Sequence, residues 1–106
     1  MTFDINEVVA QMLGAIKDTV KENWKQLKDG ANGYFQDHKS RLELLASLKL
    51  NNQISDEFFK SRVADEEKIL ESELHSIAII TKAVAQKAAN AAIDIFQNAI
   101  SKALGL

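Results

Sequence analysis

The chain has no cysteine and no proline, and only four glycines in 106 residues. Without cysteine it can form no disulfide, no thiolate zinc site and no cysteine nucleophile, which fits a reducing compartment such as the cytoplasm. Strands and tight hairpins draw heavily on glycine and proline, so an all-β or α/β fold is a poor fit. Aromatic residues are only 7% of the chain, so the core must be assembled largely from small side chains, alanine above all. At about 25 cal/mol per Å² of buried apolar surface, such a core is modest at this length. No apolar run approaches the roughly 20 residues needed to span a bilayer. The acidic start Met1-Thr2-Phe3-Asp4-Ile5-Asn6-Glu7 lacks the basic region expected of a secretory signal.

What the chain does have is helical periodicity. Over residues 3–29 the apolar positions Ile5, Val9, Met12, Ile16, Val20, Trp24 and Leu27 recur at spacings of three and four. The mean of about 3.67 per turn indicates a straight amphipathic helix rather than a strict heptad. Thr2 is the expected N-cap, and Asp4 and Glu7 suit the positive end of the helix dipole. Asp29-Gly30-Ala31-Asn32-Gly33 reads as the clearest break in the chain. A second helix is expected over 34–50, with Phe35, His38, Leu42, Leu45 and Leu48 on one face and Asn51-Asn52 closing its end.

The third segment opens on Ser55 as N-cap, with Asp56 and Glu57 in the first turn and Ile54 stapled onto Phe59. No glycine or proline follows until Gly105, and the periodicity predicts one helix over 55–103, about 73 Å long. The alternative breaks it within Ser72–Ser76, around His75, and yields four helices. The expected fold is therefore all-α, one helical domain over 1–106. It is an antiparallel bundle of three long helices, or four if the third is broken, with coiled-coil-like packing completed by oligomerisation.

Net charge is −2, and no basic domain marks a nucleic-acid binder. The charge is uneven, with seven acids against three bases in residues 55–75 and three lysines against one aspartate in 76–106. Lys17, Lys21, Lys25 and Lys28 fall within about 80° of one helical wheel. Interleaved with Asp18, Glu22 and Asp29, they read as a solvated face. They also make a possible charge-pairing strip for Glu66, Glu67 and Glu71, which would set helix register. From residue 77 to 104 the apolar positions Ile77, Val84, Ala88, Ala92, Ile95, Phe96 and Ala99 occupy an arc of about 180°. So wide a face exceeds what one neighbouring helix covers, and the expected occupant is a second copy or another helical protein. The alternative is peripheral contact, with residues 77–104 coating a lipid or hydrophobic polymer surface.

Motifs for chemistry are missing. Glu71 and His75 share a helix face, but the Glu-x-x-His pattern of carboxylate-bridged metal bundles occurs nowhere, so no metal or cofactor is expected. Neither His38 nor His75 has a legible role. No serine sits on a glycine-flanked elbow, and Gly30-Ala31-Asn32-Gly33 lacks the Lys-Ser/Thr of a phosphate loop. The expectation is a non-enzymatic adaptor, scaffold or structural subunit acting by self-association and protein–protein contact. No motif names a family.

Overall fold

Each apolar stripe folds into a helix, because only that backbone gathers residues three and four apart onto one face. The computed structural model describes residues 3–77 and 80–105. These form α1 (Ile5–Val20), a 3-10 turn at Lys21–Asn23, α2 (Trp24–Leu50), α3 (Asp56–Ile77) and α4 (Lys82–Ala103). Among the described residues there is no strand.

The helix ends follow local chemistry. Asp4 caps α1, its carboxylate accepting from the Asn6 amide at 2.9 Å. Thr2, the cap expected from sequence, lies outside the described residues. At the end of α2, Asn52 takes the left-handed conformation (φ 58°). There the Gln53 and Asn52 amides return to the carbonyls of Leu48 and Lys49, a Schellman closure that satisfies otherwise orphaned acceptors. Ser55 Oγ then accepts from the Phe58 amide, and Thr81 Oγ1 from the Val84 amide, each starting the next helix.

Helix directions follow from the pairs that meet. Phe3 packs edge-on against Phe96, so the start of α1 lies beside the C-terminal half of α4. Phe59 stacks on the same ring at 6.5 Å, so α3 and α4 are antiparallel. Arg41 with Glu66 and Lys49 with Asp56 make α2 and α3 antiparallel as well. Every helix therefore runs opposite to its sequence neighbours. α1 touches α2 and α4, α3 touches α2 and α4, and α1 and α3 sit across a diagonal. The long dimension, 40 Å, matches the length of α2 at about 1.5 Å per residue.

The all-α antiparallel bundle is thus present, in its four-helix form, but two boundaries differ from the sequence reading. The first helix does not run from 3 to 29, and Asp29–Gly33 does not break the chain. Those residues are continuous helix inside α2. Gly30 is there for proximity: a β-carbon on it would collide with the Ile77 side chain. Burial of Ala31, Tyr34 and Phe35 outweighs the loss of about 1 kcal/mol per helical glycine. The chain instead turns at Lys21, with φ 52° and ψ −117°. That is the first central position of a type II′ turn, where glycine is favoured and none is present. The second difference is that the third segment is not one helix over 55–103. It stops at Ile77 and restarts at Lys82, just beyond the alternative break at Ser72–Ser76.

Candidate functional site

Among the described residues, one buried charge sits in a largely apolar interior. Glu66 lies on the stripe Phe59, Val63, Glu66, Leu70, Leu74 that α3 turns inward, and is 2% exposed. An ionised carboxylate there requires partners, and α2 supplies them from one face. Arg41 grips it in a two-pronged fashion, Nε to Oε1 at 2.5 Å and Nη2 to Oε2 at 3.2 Å. The Tyr34 hydroxyl donates to Oε2 at 3.0 Å. Arg41 Nη2 also lies 2.7 Å from His38 Nδ1. A guanidinium can only donate, so this imidazole nitrogen is the acceptor and the other ring nitrogen carries the proton. The His38 ring lies over Tyr34 at 4.5 Å. Burial, reinforced by the Glu66 charge and hydrogen bond, drives the Tyr34 pKa far above the usual phenol value, so its proton stays available to the carboxylate.

With three donors on the Glu66 carboxylate and the phenol held protonated, the node fastens α2 to α3 in one register. Among the described residues no buried side-chain nitrogen or oxygen lacks a partner. Nor does any group of three or more acidic or histidine side chains among them have the placement to hold a metal.

The residues singled out from sequence are scattered differently. Glu66 is part of a charge pair, but its partner is Arg41 rather than the lysine strip. Lys17 ends α1, Lys21 is in the turn, and Lys25 and Lys28 begin α2. The strip is thus split between two helices, all four lysines are exposed, and none pairs with Glu66, Glu67 or Glu71. The reason is the fold: α1 never touches α3. Glu67 and Glu71 are half-buried. Burial, with Asp94 and Glu71 nearby, raises the Glu67 pKa. His75 is exposed.

The face read as partner-binding on residues 77–104 is largely closed within the chain. Ala88, Ala92 and Phe96 are fully buried, and Val84, Ile95 and Ala99 are half-buried. Ile77 is exposed at the end of α3, and residues 78 and 79 of that segment lie outside the described residues. Four helices close the arc because the elbow at Lys21 brings α1 back onto α4, which a first helix running straight to 29 would not do.

Large apolar side chains remain in solvent elsewhere. Leu44 is 60% exposed and Phe58 51%. On α2, Leu44 and Leu48 continue the stripe of Arg41. On α3, Phe58, Arg62 and Ile69 continue the stripe of Glu66. Arg41 and Glu66 face each other, so both sets flank the α2/α3 seam, and the antiparallel register sets Phe58 level with Leu48. A separate groove of about 320 Å³ runs between α1 and α4, with Phe3, Val8, Ile95 and Ala99 along it and Glu7 and Lys102 at its rim.

The sequence reading missed the Glu66 node and the Leu44–Phe58 flank. The first had a signal: the apolar stripe skips from Val63 to Leu70, and both residues that could fill its missing step, Glu66 and Glu67, are glutamates. Compared with protein families, curated proteins and solved structures, the chain shows no match. No described helix is long and apolar enough to cross a membrane.

Proposed function

We propose that this chain is a non-enzymatic helical protein that acts by self-association and protein–protein contact, as an adaptor, scaffold or structural subunit. The observation that supports the reading is the exposed apolar flank of the α2/α3 seam. Leu44 and Phe58 stand more than half in solvent beside the seam where Arg41 pairs with Glu66. Exposed apolar side chains grouped on one flank and rimmed by charge mark contact surfaces more often than scattered ones do. Arg41 and Arg62 supply that rim, each partly exposed.

Sedimentation equilibrium at tens of micromolar provides the test. The wild-type chain is expected to show a mass above the monomer, and a Leu44→Asp, Phe58→Asp double variant is expected to associate more weakly with its helicity intact. A strict monomer throughout that range, with no partner-dependent change at this flank, overturns the reading.

A further inference from the structure

The hairpin between α3 and α4 is held open to question by its own sequence. From Asp56 to Leu104 there is no glycine and no proline, and residues 78–81 read Ala-Ile-Ile-Thr, all compatible with helix apart from modest β-branched penalties. The buried faces are also in phase. If the helix is carried through the connector, Phe59, Val63, Glu66, Leu70, Leu74, Ile77, Thr81, Ala85, Ala88, Ala92, Phe96 and Ile100 fall on one lattice of three- and four-residue steps. Ten of those twelve positions are buried, Ile77 and Thr81 being exposed. Thr81 is at once the cap that starts α4, with φ −72° and ψ 160°, and the polar residue at the lattice's weakest step. Across the bundle, α4 makes its most extensive contact with α1. Among the described residues no hydrogen bond or ion pair crosses between these two helices.

From this we infer that α4 exchanges between two copies of the chain. In the exchanged form α3 and α4 make one helix over 56–103, and each α4 docks against α1 of the other copy in the contacts it makes at home. A swapped partner fits by identity, and a short connector without breakers is the setting in which exchange costs least. This rests on the self-association reading and adds to the Leu44–Phe58 flank a second surface between copies of the chain, the α1/α4 seam.

Lys82→Pro is the discriminating variant. Lys82 is exposed and is the first residue of α4, where proline is favoured because its missing N–H has no acceptor in the helix. The extended Thr81 backbone ahead of it suits a following proline. In the merged helix the same proline sits mid-helix, removes a hydrogen bond and collides with the preceding turn. After refolding at hundreds of micromolar, sedimentation should show a tight dimer for the wild type and a markedly weaker one for Lys82→Pro, with equal helicity. Thr81→Ala should act oppositely, losing the cap and raising the dimer association constant about tenfold. If wild type and Lys82→Pro dimerise alike, exchange is overturned while self-association stands. If both stay monomeric, exchange and self-association fall together.

Discussion

Two of the four antiparallel seams of the bundle, α2/α3 and α1/α4, are built on opposite principles. The α2/α3 seam is held by a buried carboxylate with three donors and by the Ile77 side chain lying on Gly30. The α1/α4 seam is dry: Ile5, Val8, Met12, Ile16 and Val20 face a helix whose buried residues are Ala85, Ala88, Ala89, Ala92, Ile93, Phe96 and Ile100. Burial of apolar surface is non-directional, so the dry seam supplies stability without insisting on which copy provides α4. A paired buried charge is directional and costly to leave unmatched, so the polar seam fixes register. Both exposed residues of the proposed contact surface, Leu44 and Phe58, flank the seam that cannot slip.

The largest expected effect breaks the dry seam. Phe96 is fully buried and meets both Phe3 and Phe59, so Phe96→Ala should cost about 3–5 kcal/mol in chemical denaturation. A cost near zero would mean the seam is not packed as described. Next, Arg41→Ala strands the Glu66 carboxylate with Tyr34 alone and should cost about 3 kcal/mol, the low end of the range for a broken buried pair because Arg41 is itself partly exposed. Tyr34→Phe removes one donor and should cost about 1–2 kcal/mol. Equal losses from the two would contradict the leading role given to the guanidinium.

Gly30→Ala sharpens the comparison by the size of its effect. An exposed mid-helix glycine replaced by alanine gains about 1 kcal/mol. Here the new methyl must displace the terminal methyl of Ile77, the movable end of a side chain that is 38% exposed, so the gain should shrink towards zero, and the full gain would remove the close-approach explanation. The smallest effect concerns Glu67, whose folded pKa is raised by burial and by Asp94 and Glu71. A raised carboxyl pKa means the fold loses stability as pH climbs through the ordinary value of 4.5 and the group ionises. Glu67→Gln should therefore be more stable than wild type at neutral pH, by less than about 1 kcal/mol for so accessible a group. The two should converge well below pH 4.5. A constant difference at all pH values would point to packing instead.

The all-α fold is readable from sequence, whereas the contrast between the two seams is not, for identifiable reasons. Periodicity and the lack of turn residues carry the all-α bundle. The Ser55 start and the Asn51-Asn52 end are local hydrogen-bond chemistry that needs no tertiary context. Gly30 misled because a glycine beside a close neighbour looks, in sequence, like a glycine required for a turn, and Gly33 has open space where a side chain would stand. The elbow at Lys21 has no sequence mark, since a lysine occupies a backbone conformation that glycine favours. The lysine strip dissolved for the same reason: one helical wheel drawn through residues 17–28 crosses that elbow. Glu66 was recognised as part of a charge pair, but the choice of Arg41 depends on which helices become neighbours.

The claim that the dry seam is exchangeable and the polar seam fixed is tested most directly by an intrachain distance. Lys60 on α3 and Asp94 on α4 are both exposed, and the chain has no native cysteine to interfere with a Lys60→Cys, Asp94→Cys labelled pair. Spin-label distances would be measured on the associated species, diluted with unlabelled chains so that only pairs within one chain report. Exchange predicts a population near 50 Å, set by the rise of one continuous helix. Associated species containing only the hairpin distance of about 10–20 Å, expected for adjacent helices, would contradict it.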